Sequence, residues 1–288
     1  MRTLIATLKS AAGFLAQHGV ETPRLDAELL LAHVLATERL QLYLQHDRPL
    51  SEPELTAYRA LIKERAARRP LAYLTKIRAF HDIDLLVDER VLIPRPETEE
   101  LVEHALRALT PRDAPWRVVD VGTGSGAIAL ALAKALPHAR IVATDLSPEA
   151  LHLARENAAR LNLRDRVHFV HGDLLTPLLA KERRVDLVVS NPPYVGLREA
   201  STLAPELSHE PSMALFSGDD GADILRRLIP QAAHALDPAG TLLVEHGYEQ
   251  GELTRSLAAA CFEEVTTLRD MAGRERFLRA HQPREGSR

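Results

Sequence analysis

A single cysteine, Cys261, is all the thiol this 288-residue chain contains. That excludes an internal disulfide and any cysteine-based zinc site. Its setting, "LAAACF", is apolar, which predicts a buried structural thiol and not a nucleophile. No apolar run approaches the ~20 residues of a membrane-spanning helix, so no membrane association is expected. In "MRTLIATLKSAAGFLAQHG" Lys9 breaks the apolar region too early for a secretory leader, and a cytoplasmic location is expected. A basic surplus is missing as well. The net charge of -4 argues against a dedicated nucleic-acid binder, while leaving room for a local basic patch such as "KERAARR", read as a solvated helix face. The 13 histidines include no H-E-x-x-H pair, and no metal is expected. In "HDIDLLVDE" strand alternation sends His81 and Ile83 to one face and Asp82 and Asp84 to the other, dispersing the cluster.

What the chain does contain is ordinary soluble-protein material, 45% hydrophobic and 26% charged, in a length that suits two domains. Residues 1–75 read as successive helices. Leu4, Ile5, Leu8 and Leu15 share one helical face. Thr22 and Pro23 open a helix with Leu25, Leu29, Leu30 and Val34 in period, and Ser51 with Glu54 makes a capping box before the next. Residues 76–95 turn β-branched and alternating, which predicts two short strands or a hairpin as a linker. From residue 96 to 288 strand and helix alternate. "RVVDVG", "RIVATD", "VHFVHGD", "VDLVVS" and "GTLLVEHG" are strands of a mostly parallel sheet covered on both faces. "FEEVTTLRD" and "RERFLRAH" add a closing antiparallel hairpin, and "QPREGSR" is a frayed tail.

A glycine-rich turn, "VGTGSGA", joins the first of these strands to a helix. Gly122, Gly124 and Gly126 allow a sharp bend and close approach of backbone to a ligand. The spacing is G-x-G-x-G and not the dinucleotide fingerprint. Asp120, just before the turn, repels a pyrophosphate and favours a cationic ligand such as an aminoacyl sulfonium. Asp145 ends the next strand, where a carboxylate accepts from both ribose hydroxyls. Asp173 ends the third within reach of an adenine amine, and Leu174 offers an apolar face and a backbone amide. Three acidic strand ends around a glycine turn suit S-adenosyl-L-methionine better than NAD.

"SNPPYVG" closes the fourth strand. Methyl transfer to a planar NH2 needs the nitrogen lone pair released from conjugation. The Asn191 side-chain oxygen and the Pro192 carbonyl can each accept one N–H of such a group and stabilise positive charge developing on nitrogen. Pro192 and Pro193 stiffen the turn and present no competing backbone donor. Tyr194 can lie against the flat acceptor. These residues leave adenine, cytosine, glutamine and asparagine open as acceptors.

The sequence resembles the glutamine N5-methyltransferases of peptide chain release factors, the PrmC/HemK family, over nearly its whole length. The likeness rests on "DAELLLAHVL", "RRPLAYLT", "VLIPRPETEELVE", "DVGTGSGAIALALA", "SNPPYV", "HEPSMALFSGDDG" and "LLVEHGYEQG". It implies a class I, Rossmann-like α/β methyltransferase domain with a seven-stranded sheet, preceded by a small all-α bundle that recognises the partner. It implies S-adenosyl-L-methionine as cofactor, held by Gly122, Thr123, Gly124, Ser125, Gly126, Asp145, Leu174 and Asn191, with S-adenosyl-L-homocysteine as product. It implies that Asn191, Pro192, Pro193 and Tyr194 hold the glutamine of the GGQ loop of class 1 release factors, a protein substrate. A monomer with no direct nucleic-acid substrate is expected. By the same likeness "PRPETE", containing Arg95, Glu97, Thr98 and Glu99, covers the methionine end of the cofactor, and Glu210 and Pro211 shape the acceptor channel. The chain departs from the family at Lys76, Ala79 and Asp82, where glycine, glutamate and glycine are usual, and all three lie in the linker. The alternatives are an N6-adenine methyltransferase of DNA or RNA, a glutamine methyltransferase of a ribosomal protein, and an idle cofactor-binding module.

Overall fold

The computed structural model describes residues 3–180 and 184–284. They fall into two units. One ends at Ile77 and takes in Ala204–His209; the other comprises Arg78–Leu203 and the chain from Glu210 onward.

The first unit is helical: α1 (Leu4–Gln17), α2 (Pro23–Val34), α3 (Arg39–Leu44), α4 (Glu52–Ala66) and α5 (Leu71–Thr75). Ser51 and Glu54 complete the capping box that opens α4, each bonding the other's backbone amide. Leu4, Leu8 and Leu15 of α1 meet Ala27, Leu30 and Leu31 of α2 and Tyr58 and Ile62 of α4 in a single core. Leu25 is exposed, so the buried face of α2 is rotated away from the one its leucines suggest. The rotation brings Asp26 and Glu28 inside instead. Glu28 is met by Arg24 and Arg39, each at 3.0 Å, and Asp26 by Arg65 at 2.6 Å.

Arg65 corrects the reading of "KERAARR" as a solvated face. It is buried, and besides Asp26 it reaches Glu206 at 3.1 Å, which Arg68 also binds at 2.8 Å. Ala204–His209, only ten residues past the NPPY turn, is thereby pinned to the end of α4 and the residues that follow it by two guanidinium groups. The linker departure also has a local consequence. Lys76 caps α5 with φ +62°, the left-handed conformation that glycine adopts without a Cβ penalty.

In the second unit a short hairpin, β1 (Ile77–Phe80) and β2 (Ile83–Leu86), precedes α6 (Pro96–Ala108). His81 occupies its turn at φ +53°, so strand alternation does not apply to it, and its ring meets Glu103 at 2.8 Å. Then follow β3 (Arg117–Val121), α7 (Ala127–Ala135), β4 (Arg140–Asp145), α8 (Pro148–Arg160), β5 (Val167–His171), α9 (Thr176–Leu179) and β6 (Val185–Ser190). A 3-10 turn (Leu197–Thr202) and, after the segment that belongs to the first unit, α10 (Ser212–Leu215) lead to α11 (Asp223–Ala235), β7 (Leu236–Glu245), α12 (Gly251–Ala259), β8 (Phe262–Arg269) and β9 (Glu275–Pro283). Gln282 and Pro283 belong to β9, with Pro283 in register with Phe262, so the tail begins later than the sequence suggests; residues 285–288 lie outside the described residues.

The seven strands order β5-β4-β3-β6-β7-β9-β8, parallel through β7, with β9 antiparallel to both neighbours. Val119, Val188 and Leu242 pack against Leu225, Leu228 and Ile229 of α11, and Cys261 is buried in the same core as an inert thiol. The chain winds outward from β3 in both directions, which opens a crevice at the carboxyl ends of β3 and β6. The glycine turn and NPPY follow those two ends.

Replacing Arg65 with alanine strands Asp26 without its cation. Denaturant unfolding is expected to show a loss of about 3 kcal/mol or more, as for other broken buried pairs. An unchanged midpoint would contradict the pairing.

Candidate active site

The glycine turn is held from below. Gly122 and Thr123 donate their amides to the Thr144 carbonyl of β4 at 2.9 and 3.0 Å. Gly126 starts α7 at φ +85°, and a Cβ there would lie 3.0 Å from Leu130 and 3.3 Å from Ala154, so this glycine serves close helix packing. A Cβ on Gly124 would meet nothing within 4 Å, because open space lies over the turn.

Asp120 sits beneath the turn and not on its open side. One carboxylate oxygen accepts from the Thr123 hydroxyl at 2.6 Å and the Ala129 amide at 3.1 Å, while the other has no partner. Complete burial pushes its pKa up to about 7. Asp145 is fixed by the Gly124 amide on one oxygen and the Ser147 amide on the other, both at 2.8 Å, and burial raises its pKa too. Ser147 in turn caps α8 through the Ala150 amide. Asp173 is paired through one oxygen with Arg227.

A cavity of about 280 Å³ runs along these strand ends. Of the residues expected from sequence, Gly122, Thr123, Gly124, Ser125, Asp145, Asp173, Leu174, Asn191, Pro192 and Pro193 line it. Asp120, Gly126 and Tyr194 do not, and act from behind the wall. The cavity also takes in Leu146, Ile128, Thr98 and, from the "HEPSMALF" stretch, Pro211, Met213 and Phe216.

NPPY is braced on every side. The buried Ser190 hydroxyl donates to the Val121 carbonyl at 2.7 Å, tying the ends of β6 and β3 together. Asn191 donates its amide nitrogen to the Thr98 hydroxyl oxygen at 2.9 Å, and its carboxamide oxygen is buried without a partner. Thr98 donates to Glu245 at 2.8 Å, and the Tyr194 hydroxyl approaches the other Glu245 oxygen at 3.3 Å. Burial pushes the Glu245 carboxyl up to about 7 and raises the Tyr194 phenol. Tyr194 itself does not line the cavity, and its hydroxyl is turned to Glu245.

Gln250 donates to the Tyr194 carbonyl at 3.0 Å, and Val195 donates its amide to the Leu215 carbonyl of "MALF" while its own carbonyl accepts from the Ser217 amide. At Gly221 a Cβ would be 2.2 Å from the Tyr194 carbonyl, so only glycine fits. "SGDDG" and "HGYEQG" are thus the mould in which NPPY is set. Glu210 plays a similar part for "PRPETE": it is buried, with one oxygen accepting from the Ile93 amide at 3.0 Å and the other from Arg95 at 2.6 Å.

Comparison with known proteins places this geometry in a family. Residues 6–75 match the PrmC N-terminal domain and residues 101–219 the methyltransferase small domain. The chain is 42% identical to the release factor glutamine methyltransferase of Geobacter sulfurreducens, covering 96% of this chain and 95% of that one. It is 43% identical to the Deinococcus radiodurans protein of the same name, covering 96% and 97%. The chain belongs to the release factor glutamine methyltransferase family. A T. thermophilus 16S rRNA N2 methyltransferase, solved with AdoMet and guanosine, shares the fold at a TM-score of 0.52 and 20% identity, covering 72% of this chain and 49% of that one.

The residues that sequence reasoning missed in this family site are Leu146, Thr98 as a contact of Asn191, and Glu245. Glu245 had a signal: it is a carboxylate closing an apolar strand, "LLVE", just as Asp145 closes "RIVATD". Thr98 had none beyond its place in "PRPETE".

The raised pKa of Asp120 makes a stability prediction. A carboxyl with a folded pKa near 7 contributes stability that is fully present below its unfolded value and lost as pH rises toward about 7. The stability of Asp120→Asn relative to wild type is therefore expected to climb between about pH 4 and pH 7 and then level off. A pH-independent difference in thermal midpoints would mean that Asp120 titrates normally.

Proposed function

We propose that the chain transfers a methyl group from S-adenosyl-L-methionine to the side-chain nitrogen of the glutamine in the GGQ loop of class 1 release factors, in the cytoplasm, and so modulates translation termination. The observation that carries this reading is the Asn191 carboxamide oxygen, a buried acceptor left without a donor beside the cavity. The names of relatives more than 40% identical along almost the whole chain supply the protein substrate.

The cavity residues fit the cofactor. Both Asp145 oxygens are anchored by one backbone amide each and keep lone pairs for two ribose hydroxyls. Leu146 and Leu174 offer apolar surface to an adenine ring, and Asp173 keeps its second oxygen for the adenine amine. The open space over Gly124 leaves room for a ligand against the backbone. Asp145, facing the cavity without a cationic partner, favours a cation over a pyrophosphate. When bound, the sulfonium supplies an electrophilic methyl group.

The chain's own contribution falls on the acceptor. The Asn191 oxygen and the Pro192 carbonyl each take one N–H of the glutamine NH2, drawing the nitrogen out of conjugation and stabilising its developing charge. The rigid turn fixes both acceptors before the substrate arrives. No strong base is needed, since the methylated nitrogen is acidic and gives up its proton late. Grip on the release factor is assigned to the helical unit.

Radiolabelled S-adenosyl-L-methionine, offered with release factor or with nucleic acid, is expected to label the release factor glutamine alone. Label on DNA or RNA and none on release factor would overturn the reading. Asn191→Ala should bind cofactor within about threefold of wild type while kcat falls by roughly 100-fold or more. Full turnover by that variant would show that the acceptor pair is wrong.

A further inference from the structure

We infer that Thr98 and Glu245 are positioning residues, forming a one-way hydrogen-bond relay that holds the Asn191 carboxamide with its oxygen toward the substrate. The inference rests on the function proposed above and adds two residues to it.

A carboxamide has two ends of nearly the same shape and opposite hydrogen-bonding character. One orientation of Asn191 presents an acceptor to the target NH2. The other presents two N–H donors to a group that is itself a donor, which is repulsive. Something must choose between them. The surroundings of Asn191 make the choice through a single proton. A threonine hydroxyl has one hydrogen, and that of Thr98 is given to Glu245 at 2.8 Å. Toward Asn191, Thr98 can then only accept, so the end of the carboxamide that faces it at 2.9 Å must be the NH2. The oxygen is left on the other side, buried and unpartnered.

Glu245 is what makes the relay one-way. It is buried and, in its ionised form, can only accept, taking the Thr98 hydroxyl on one oxygen and the Tyr194 hydroxyl on the other. With a neutral apolar group at 245, the Thr98 hydrogen would be free to turn to the Asn191 oxygen, and the amide could flip. Thr98 is also buried, so water does not substitute for either partner. The relay links three segments distant in sequence: the helix start after "PRPE", the NPPY turn and the end of β7. Neither Thr98 nor Glu245 is needed to touch the reacting atoms. Their effect passes through Asn191.

The test is a set of paired substitutions assayed for methyl transfer to release factor, with cofactor affinity measured by calorimetry. Thr98→Val keeps the shape and removes the relay. It is expected to lower kcat by roughly 10- to 100-fold with cofactor affinity within about threefold, and Thr98→Ser to recover most of the loss. Glu245→Met is expected to behave like Thr98→Val, and Glu245→Gln to recover most of its activity, because its amide oxygen still accepts from Thr98. In nuclear magnetic resonance, the Asn191 side-chain amide protons, identified by their loss in Asn191→Ala, should exchange slowly in wild type and much faster in Thr98→Val.

Wild-type-like kcat in Thr98→Val would overturn the relay, as would equal losses in Thr98→Val and Thr98→Ser, or a loss confined to cofactor affinity. The exchange measurement needs no turnover. A wild type that fails to methylate release factor would thus sink the proposed function, while unchanged amide exchange in Thr98→Val would sink the relay alone.

Discussion

Leaving a hydrogen-bonding group buried without a partner costs a protein about 1–3 kcal/mol, and most buried polar groups avoid it. Asn191 carries that cost on its carboxamide oxygen, although its nitrogen is paired at 2.9 Å. Much of the second unit can be understood as the means of sustaining this arrangement. Ser190 ties β6 to β3 immediately before the turn, Gln250 holds the Tyr194 carbonyl after it, and Gly221 yields the space that carbonyl needs. An unsatisfied acceptor, pre-aligned and unable to relax, is worth more to a substrate N–H than one that must first shed a partner.

The site has a division of labour that residue type alone does not reveal. Asp120, Asp145, Asp173 and Glu245 are four carboxylates at the ends of parallel strands, yet each does something different. Asp120 supports the glycine turn from within the core. Asp145 is anchored by backbone amides with lone pairs to spare. Asp173 is half neutralised by Arg227. Glu245 receives two hydroxyl donors, one from Thr98 of α6 and one from Tyr194 of NPPY. Burial separates them: the two deepest, Asp120 and Glu245, are both pushed up to about 7.

The parallel sheet was readable because its strands are apolar runs bounded by glycine, aspartate or proline. The capping box at Ser51 is a local rule and held. What failed were judgements about which way a side chain faces. Leu25 is exposed and Arg65 buried because the interior of the helical unit accommodates Asp26, and no periodicity encodes an ion pair formed across 39 residues. Tyr194 and Asp120 lie behind the cavity wall for a similar reason. Their partners, Glu245 and Ala129, are known only once the chain is folded. Cavity-facing residues on the glycine turn and NPPY were legible because tight turns leave few choices of direction.

The most direct check on the central claim is a crystal structure of the chain with S-adenosyl-L-homocysteine and a release factor bound, at a resolution that distinguishes amide oxygen from nitrogen. The Asn191 oxygen is expected within hydrogen-bond distance of the glutamine side-chain nitrogen, with the Asn191 nitrogen still on Thr98. An Asn191 amide turned the other way, or a glutamine nitrogen bonded elsewhere, would contradict the claim.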